Sequence, residues 1–183
     1  MISSIPQHLE NELTRCIGRY TGLHFPDNKR RALHKGISAA ARETGFESVY
    51  DFAHHLVSKK PSATVLNALV THLTIGETFF FRDKHLFQIL KDDIFRGLHQ
   101  HPRRGGKSIR IWSAGCATGE EPYSLAILID QMGYWFRNWD ITIIGTDVNP
   151  EFLERARKAR YSRWSFRDTP DDIVNQYFTA IDG

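Results

Sequence analysis

One stretch of the sequence, Ile109–Tyr123, constrains the fold more than any other, because it has the pattern of a strand, a glycine-containing turn and a helix in direct succession. Its first residues are mostly β-branched or aromatic, which favours a strand. Gly115 and Gly119 follow, and glycine permits backbone angles and close approaches that a side chain would block. From residue 120 onward, apolar residues recur at helical spacing. In an open α/β sheet a ligand binds at the carboxyl end of such a strand, so the sequence predicts a ligand site at this turn.

Two adjacent carboxylates, Glu120 and Glu121, occupy the first turn of the predicted helix. They suit the positive end of the helix dipole but would repel a pyrophosphate, which is the usual ligand of such a position. A ligand with cationic groups fits better, and S-adenosylmethionine (SAM) has a sulfonium, an ammonium and no phosphate. The alternative is that both glutamates are ordinary first-turn residues on a solvated face, because a short glycine motif is weak evidence by itself.

A second buried strand is predicted over residues 140–145, and Asp147 follows at its carboxyl end. An acidic residue at this position can accept hydrogen bonds from the ribose hydroxyls of an adenosine. The alternative is that Asp147 caps the helix that begins near Pro150.

Composition excludes several classes of protein. The 183 residues suffice for one domain or two small ones, and 41% hydrophobic with 25% charged residues is typical of a globular chain. The net charge of +3 is too small to indicate nucleic-acid binding. Cys16 and Cys116 form no metal or disulfide pattern, and no apolar run approaches the roughly 18 residues of a membrane span. We therefore expect a monomer in the cytoplasm, without metal or membrane insertion, in which Cys116 is a small residue beside a ligand rather than a reactive thiol.

The region 1–75 has the pattern of a helical bundle. Start and stop signals divide it into four helices, which begin near Pro6, Pro26, Ser48 and Pro61. Each helix carries one apolar face. The residues predicted to line these faces are Leu9, Leu13, Cys16, Ile17, Tyr20, Leu33, Ile37, Ala40, Ala41, Val49, Phe52, Ala53, Leu56, Val65, Leu66, Leu69, Val70 and Leu73.

The second of these helices carries a basic stripe, Arg31, Lys35 and Arg42, on the side opposite its apolar face. Lys29 and Arg30 add positive charge at the start of the helix. A stripe of this kind suits an acidic partner. The commoner alternative is a solvated face with no partner.

Arg82 follows three consecutive phenylalanines, Phe79–Phe81, between the helical region and the first strand. Phenylalanines normally complete a core, and an arginine held rigidly behind them can present its guanidinium to a carboxylate. The alternative is an arginine whose stem covers the apolar cluster.

The remaining segments are predicted to connect and cover the strands. Asp83 marks the start of a helix whose inward residues are predicted to be Leu86, Ile89, Leu90 and Ile94. Residues 97–107 have the composition of a surface linker. A helix is predicted over residues 150–159, a loop over 161–164, and a last helix from Thr169 to about Phe178.

Three motifs stand together in this sequence: Thr78–Arg82, Ser113–Ser124 and Gly145–Asp147. With this combination the chain resembles the chemotaxis receptor methyltransferases of the CheR type. The resemblance implies an α/β fold, with a small helical bundle over residues 1–76. Residues 77–183 would then form the first half of a doubly wound class I (Rossmann-like) SAM-dependent methyltransferase domain. It also implies methyl transfer from SAM to glutamate side chains of a receptor, with S-adenosylhomocysteine as the product.

The same resemblance implies roles for individual residues. Contacts with the cofactor are implied for Thr78, Arg82, Gly115, Glu120, Glu121 and Asp147. Thr78 and Arg82 would close over SAM, and Arg82 is the implied catalytic residue. Gly115 would lie under the methionine moiety, Glu121 would contact its ammonium, and Asp147 would hold the ribose. The basic stripe would bind the acidic, helical cytoplasmic region of a methyl-accepting chemotaxis receptor.

The sequence departs from the family pattern in two places. Many relatives carry Asn where this chain has Gly76, two residues before Thr78. The later strands of the family's catalytic domain, with their adenine-binding and substrate-binding asparagines, have no counterpart in these residues. We therefore expect residues 1–183 alone to be inactive.

Three other functions compete with methyl transfer to a receptor. The absent strands favour a truncated, non-catalytic module that binds a receptor or SAM, whereas the joint presence of Arg82, Glu121 and Asp147 disfavours it. A nucleotide-linked oxidoreductase is opposed by the two glutamates at the phosphate position. A nucleic-acid methyltransferase is opposed by the low net charge and the lack of an aromatic pocket motif.

Overall fold

The computed structural model describes residues 5–101 and 107–181, which form two compact units. The helical unit runs to Ile75 and also takes in Val148–Pro150. The α/β unit comprises Gly76–Asp147 and the residues from Glu151 onward. Along the described residues, no helix is both long enough and apolar enough to cross a membrane.

The described residues of the helical unit form four α-helices, which begin and end where local signals predict. Their bounds are α1 Gln7–Thr21, α2 Arg30–Glu43, α3 Val49–Ser58 and α4 Ala63–Leu73. A 3₁₀ turn at Asp27–Lys29 leads into α2. The hydroxyls of Ser48 and Ser62 each accept a backbone N–H three residues on, which caps α3 and α4. Gly22 ends α1 in the left-handed conformation, with φ of 75°.

The apolar faces of these helices meet in one core. Its buried residues are Ile5, Leu9, Leu13, Ile17, Leu33, Ile37, Ala40, Ala41, Phe52, Ala53, Leu56, Val65, Ala68, Leu69 and Leu73. The predicted inward faces are thereby confirmed, although Cys16, Tyr20, Val49 and Leu66 are only half-buried. The core is continuous because each helix contributes residues at i, i+3 and i+4 spacing.

The segment after Asp83 does not bury the face that its sequence predicts. It forms α5 (Lys84–Ile89), a π-helical stretch (Leu90–Phe95) and α6 (Arg96–Gln100). Phe87 and Phe95 are buried, whereas Leu86, Ile89 and Ile94 are exposed. Leu90 is half-buried against the same core, as predicted. In α5 the inward residue is Phe87 rather than Leu86 or Ile89, and beyond Leu90 the i→i+5 bonding of the π-helix brings Phe95 rather than Ile94 to the core.

The predicted surface linker over residues 97–107 is also partly wrong. Its first residues belong to α6, which ends at Gln100. The part at 102–106 lies outside the described residues. Lys107 accepts the Asp140 backbone N–H with its carbonyl oxygen at 2.8 Å, so pairing with the second strand begins at this residue.

The two predicted strands pair in parallel. β1 is Ser108–Ala114 and β2 is Asp140–Thr146, and their register places Ser108 opposite Asp140 and Ala114 opposite Thr146. Parallel neighbours require a crossover connection, which α7 (Glu120–Gln131) and a 3₁₀ turn (Gly133–Phe136) provide. The carboxyl ends of both strands therefore lie side by side. This arrangement confirms the predicted order of a helical bundle followed by an α/β unit, and the strand–helix–strand connection is that of a Rossmann-like sheet.

The two faces of this sheet have different surroundings. One face packs on a core of buried residues that comprises Phe87, Phe95, Ile109, Leu125, Leu128, Ile129 and Phe136. The other face carries Trp112 and Ile144, which are 71% and 54% exposed. Downstream of β2 the chain forms α8 (Pro150–Lys158), a 3₁₀ turn (Arg163–Phe166) and α9 (Asp171–Tyr177).

Candidate cofactor and active site

The glycine turn, which we define as residues 115–119 between β1 and α7, is bonded to the end of β2. The backbone N–H groups of Gly115 and Cys116 both donate to the carbonyl oxygen of Thr146, at 2.7 and 2.9 Å. Gly115 has a φ of 77°, and a Cβ added there would meet no atom within 4 Å. The turn thus presents open backbone at the carboxyl ends of the strands, which is the position where α/β folds bind ligands.

Gly119 closes the turn and cannot be replaced without strain. Its φ of 96° is in the left-handed region. An added Cβ would also lie 2.8 Å from the Ala156 Cβ and 3.0 Å from the Tyr161 hydroxyl. The glycine therefore serves both the turn conformation and the close approach of α8 to the start of α7.

Asp147 faces the glycine turn. Its Oδ2 accepts the Ala117 backbone N–H at 2.8 Å, and Ala117 has a left-handed φ of 45°. Non-glycine residues in this conformation persist only where their surroundings hold them, and they are frequent at functional sites. The carboxylate therefore fixes the shape of the turn, and its predicted contact with a ribose stays a prediction.

The two adjacent glutamates have different environments. Glu121 is exposed at the start of α7, and its Oε1 accepts a hydrogen bond from the Ser113 hydroxyl at 2.5 Å. Ser113 lies near the end of β1, so this bond fixes the Glu121 carboxylate beside the carboxyl ends of the strands. No Lys, Arg or His in the described parts of the chain forms an ion pair with Glu121.

Glu120, in contrast, is only 3% exposed. Its Oε2 accepts the Thr118 hydroxyl at 2.6 Å, and its Oε1 accepts the Ser165 hydroxyl at 3.0 Å. The solvated-face alternative is therefore wrong for this residue. A direct cofactor contact from Glu120 stays a prediction, and the hydrogen bonds from Thr118 and Ser165 give the carboxylate a role inside the protein.

The Arg82 segment, which we define as residues 77–82, has no regular secondary structure but is held by its backbone. The Phe80 N–H donates to the Ser165 carbonyl at 2.9 Å, and the Phe81 N–H donates to the Ser124 hydroxyl at 3.0 Å. Phe81 has a left-handed φ of 55°. Because Ser124 lies one turn into α7, the Arg82 segment is fastened to the helix that carries Glu121.

Arg82 itself is exposed, and its Nη1 donates to the carbonyl oxygen of Glu77. The ring of Phe80 is fully buried and lies about 5 Å from the rings of Tyr161, Phe166 and Phe178. The phenylalanines therefore complete a core, as predicted, and Arg82 projects from the end of the segment that this core anchors. The Arg82 Cζ lies 6.0 Å from the centroid of the half-buried Phe79 ring, so the alternative in which Arg82 covers part of the cluster stays open beside the catalytic prediction.

Thr78 and Gly76 lie at the start of this segment. Thr78 is half-buried, and its predicted contact with the cofactor stays a prediction. A Cβ on Gly76 would lie 2.5 Å from the nearest ring carbon of Phe152. The asparagine that the family resemblance implies at this position would therefore require the Phe152 ring to move.

The basic stripe lies in the helical unit and is exposed. Arg31, Lys35 and Arg42 are all accessible on α2, and no described acidic side chain pairs with them. Arg30 differs, because it pairs with Glu10 and Asp27 at 3.6 and 3.2 Å. The three stripe residues therefore offer positive charge that the described part of the protein does not neutralise.

Cys116 has the character of a packed residue. It is 3% exposed, and burial, followed by the nearby Asp147 carboxylate, raises the pKa of its thiol. A buried thiol with a raised pKa is a poor nucleophile. Within the described residues, no group of three or more His, Cys, Asp and Glu side chains is arranged to hold a metal ion.

Sequence reasoning missed the polar residues that connect the site. The Ser113 hydroxyl bonds to Glu121, and the Ser124 hydroxyl bonds to the Arg82 segment. The Ser165 hydroxyl bonds to Glu120. The Tyr161 hydroxyl donates to the Thr118 carbonyl at 2.9 Å. One signal was available for the last two. Tyr161 lies in the segment predicted to be a loop and Phe166 lies just beyond it, and two large aromatic rings so close together favour burial of the segment.

Comparison with known proteins finds relatives across most of the chain. The family described as "CheR methyltransferase, SAM binding domain" matches residues 76–183. The chain is 30% identical over 169 residues to the chemotaxis protein methyltransferase of Escherichia coli, which covers 91% of this chain and 54% of the relative. It is 30% identical over 159 residues to chemotaxis protein methyltransferase 2 of Vibrio cholerae, with 87% and 54% covered. It is 29% identical over 161 residues to the probable chemotaxis protein methyltransferase of Rhizobium etli, with 88% and 59% covered.

The chain thus spans about half the length of the curated relatives that it matches. The family match covers more than half of the sequence and includes the Arg82 segment, the glycine turn and Asp147. It confirms SAM as the cofactor of the domain, whereas the roles of individual residues stay predictions. On this match, the chain belongs to the CheR methyltransferase family.

Proposed function

We propose that this protein transfers a methyl group from SAM to glutamate side chains of a chemotaxis receptor. The relatives that carry the name chemotaxis protein methyltransferase support the reaction and its setting. The structural observation that carries the proposal is the hydrogen bond between the Phe81 N–H and the Ser124 hydroxyl, at 3.0 Å. It joins the Arg82 segment to the helix whose first turn bears Glu121, so a candidate substrate-orienting cation and a candidate cofactor-binding carboxylate share one support.

The residues at the carboxyl ends of the strands fit SAM. The open backbone at Gly115 allows close approach of a ligand. Glu121 is an exposed carboxylate fixed by Ser113 and, among the described residues, without a cationic partner, so it suits an ammonium. Asp147 lies at the position that binds ribose hydroxyls in α/β folds. When bound, SAM supplies a sulfonium-activated methyl group, whose carbon a carboxylate oxygen can attack as the carbon–sulfur bond breaks.

Arg82 would orient the receptor glutamate. Its guanidinium carries five N–H donors, and the contact with the Glu77 carbonyl leaves others for a carboxylate. Full neutralisation of the nucleophile would slow attack, and an exposed guanidinium in water binds a carboxylate only weakly. A glutamate side chain, with a usual pKa of about 4.3, is already ionised at neutral pH. The reaction therefore needs alignment and no general base.

The decisive experiment is the Arg82→Ala variant in the protein as its gene encodes it in full. At saturating SAM we expect the rate of radiolabelled methyl transfer to receptor to fall by about 100-fold or more, because misalignment of reacting groups has effects of this size. Lys84→Ala is the matched control, since Lys84 is an exposed cation two residues further on. A near wild-type rate for Arg82→Ala, with receptor and SAM both bound, would contradict the proposed orienting role and leave Arg82 with a structural role only.

Calorimetry separates SAM binding from catalysis. We expect heat of binding with SAM and S-adenosylhomocysteine and none with NAD. The Glu121→Gln variant should bind SAM with lower affinity, because it removes the charge proposed to face the ammonium. Tight NAD binding would contradict the cofactor assignment. SAM binding with no methyl transfer by the full gene product would favour the non-catalytic alternative.

The basic stripe is proposed to bind the acidic surface of the receptor. Replacing Arg31, Lys35 and Arg42 by Ala should reduce receptor methylation, and the reduction should shrink as salt is raised, because exposed charges are screened. The matched control replaces Arg15, Arg19 and Lys59, three exposed cations elsewhere in the helical unit, which removes the same charge. Equal effects of the two triple variants would show that only net charge matters.

A further inference from the structure

We propose that Arg167 is a positioning residue for Arg82, acting through the Arg82 segment. The inference rests on the proposed function, because it assumes that Arg82 orients the receptor glutamate. It concerns the 163–167 turn, which we define as the 3₁₀ turn Arg163–Phe166 with Arg167. Four contacts of the Arg167 guanidinium carry it: two with aromatic rings, one with a carbonyl oxygen and one with a carboxylate.

The Arg167 guanidinium lies between two aromatic rings. Its Cζ is 3.6 Å from the centroid of the Phe79 ring and 4.4 Å from the centroid of the Trp164 ring. The side chain is 20% exposed, and its Nη1 donates to the Trp164 carbonyl at 2.8 Å. A planar, weakly hydrated guanidinium stacks well in such a position, and removal from water strengthens its attraction to the rings.

The same guanidinium reaches the start of the Arg82 segment. Its Nη2 lies 4.0 Å from a carboxylate oxygen of Glu77. The backbone carbonyl of Glu77 is the group that accepts the hydrogen bond from Arg82. The Phe79 ring under Arg167 also lies 6.0 Å from the Arg82 Cζ. Arg167 therefore holds both of the residues that Arg82 contacts within its own segment.

The 163–167 turn is itself fixed to α7, so it can act as a support. The Ser165 carbonyl accepts the Phe80 N–H at 2.9 Å, and the Ser165 hydroxyl donates to the buried Glu120 carboxylate at 3.0 Å. Ser165 is buried. The turn thus contacts the Arg82 segment at Phe79 and Phe80, and the bond between Ser165 and Glu120 connects the turn to the start of α7.

These contacts explain why the residue at position 167 is an arginine. A lysine would keep the charge near Glu77, but its compact, strongly hydrated ammonium cannot stack between two rings. An apolar side chain would keep the packing and lose both the Glu77 contact and the bond to the Trp164 carbonyl. Only the planar cation makes all of these contacts together.

The test compares Arg167→Ala and Arg167→Lys with the control Arg163→Ala, which removes an exposed arginine from the start of the same turn. Amide hydrogen exchange, the Arg82 side-chain NMR signal, methyl transfer and SAM affinity are all measured on the same full gene product. We expect both Arg167 variants to speed exchange at the Phe80 and Phe81 amides, to shift the Arg82 signal, and to lower kcat by about 10- to 100-fold. SAM affinity should fall less than kcat does, because Glu121 and Asp147 are not in the contact chain, whereas Thr78 and Arg82 lie in the segment that Arg167 holds.

The outcomes separate this inference from the proposed function. Unchanged Phe80 exchange and an unchanged Arg82 signal in Arg167→Ala would overturn the positioning role, whatever the activity. Full recovery of kcat by Arg167→Lys would overturn it as well, because charge alone would then suffice. If the wild-type gene product transfers no methyl group, the proposed function fails, and the exchange and NMR measurements still decide whether Arg167 holds the segment.

Discussion

Different interactions stabilise the interior of the helical unit and the site of the α/β unit. In the helical unit, residues from all four helices share one apolar core, and Leu13, Ile37 and Phe52 have no exposed surface. In the α/β unit, the site is joined by hydrogen bonds between segments that are far apart in the chain, such as Ala117 with Asp147 and Phe81 with Ser124. The helical core is therefore specified mainly by apolar periodicity, and the site in the α/β unit by particular polar pairs.

This difference predicts different responses to mutation. An apolar core contributes stability roughly in proportion to the area that it buries. Removing a large core side chain therefore lowers the unfolding free energy of the whole unit by a large amount. A single hydrogen bond contributes about 0.5–1.5 kcal/mol, so its loss is small for stability but changes the position of a specific group. Core variants should therefore unfold, whereas site variants should stay folded and bind or react poorly.

The largest effect is expected for Phe52→Ala in the helical core. The fully buried ring is replaced by a cavity, and such substitutions cost about 3–5 kcal/mol of unfolding free energy. Trp112→Ala is the matched control in the α/β unit, because it removes a larger ring that is 71% exposed. Urea unfolding, with hydrogen exchange at the α1–α4 amides for Phe52→Ala and at the β1 and β2 amides for Trp112→Ala, measures both variants. A greater loss from Trp112→Ala would reverse the comparison.

A smaller effect is expected for Asp147→Ala in the glycine turn. The substitution leaves the Ala117 N–H without its carboxylate partner while Ala117 keeps a left-handed φ, and an unsatisfied group of this kind costs about 1–3 kcal/mol. We expect SAM affinity to fall more than stability does. Asp147→Asn is the informative companion, because its side-chain oxygen can still accept the Ala117 bond. Calorimetry should find a higher SAM affinity for Asp147→Asn than for Asp147→Ala. An equal loss of affinity in both variants would mean that the charge of Asp147, rather than the geometry of the turn, determines SAM binding.

The same distinction explains how much of the molecule the sequence predicts. Helix ends in the helical unit follow from single residues, such as Ser48 and Ser62 at starts and Gly22 at an end, because caps act within one turn. Both strands, their order and the glycine turn between them follow from a run of adjacent residues. Local chemistry of this kind is visible without knowledge of the tertiary structure.

The unpredicted parts depend on contacts over long distances or on irregular geometry. The burial of Glu120 depends on Ser165, and the grip on Phe79 depends on Arg167, which no local pattern reveals. The burial of Phe95 in place of Ile94 follows from a π-helical stretch, whose wider turn has no clear sequence signal. The fold class was therefore predictable from the sequence, whereas the long-range contacts that position the site residues were not.

The smallest effect in this comparison is expected at alkaline pH and concerns Tyr161. Burial, followed by the Glu120 carboxylate, raises the pKa of the Tyr161 phenol, whose ordinary value is about 10. A raised pKa means that the folded state keeps its proton at a pH where the unfolded state has lost it, so the stabilisation is complete below pH 10 and declines as pH rises above it. Tyr161→Phe removes the titrating group and its bond to the Thr118 carbonyl.

We therefore expect Tyr161→Phe to lower stability by about 0.5–1.5 kcal/mol at neutral pH and to lose less stability than the wild type between pH 10 and pH 11. Urea unfolding followed by tryptophan fluorescence suits this measurement, because all four tryptophans lie in the α/β unit. Tyr134→Phe is the control, since that ring is 84% exposed. If wild type and Tyr161→Phe lose stability with the same slope above pH 10, the alkaline sensitivity arises elsewhere, and the glycine turn does not depend on a protonated Tyr161.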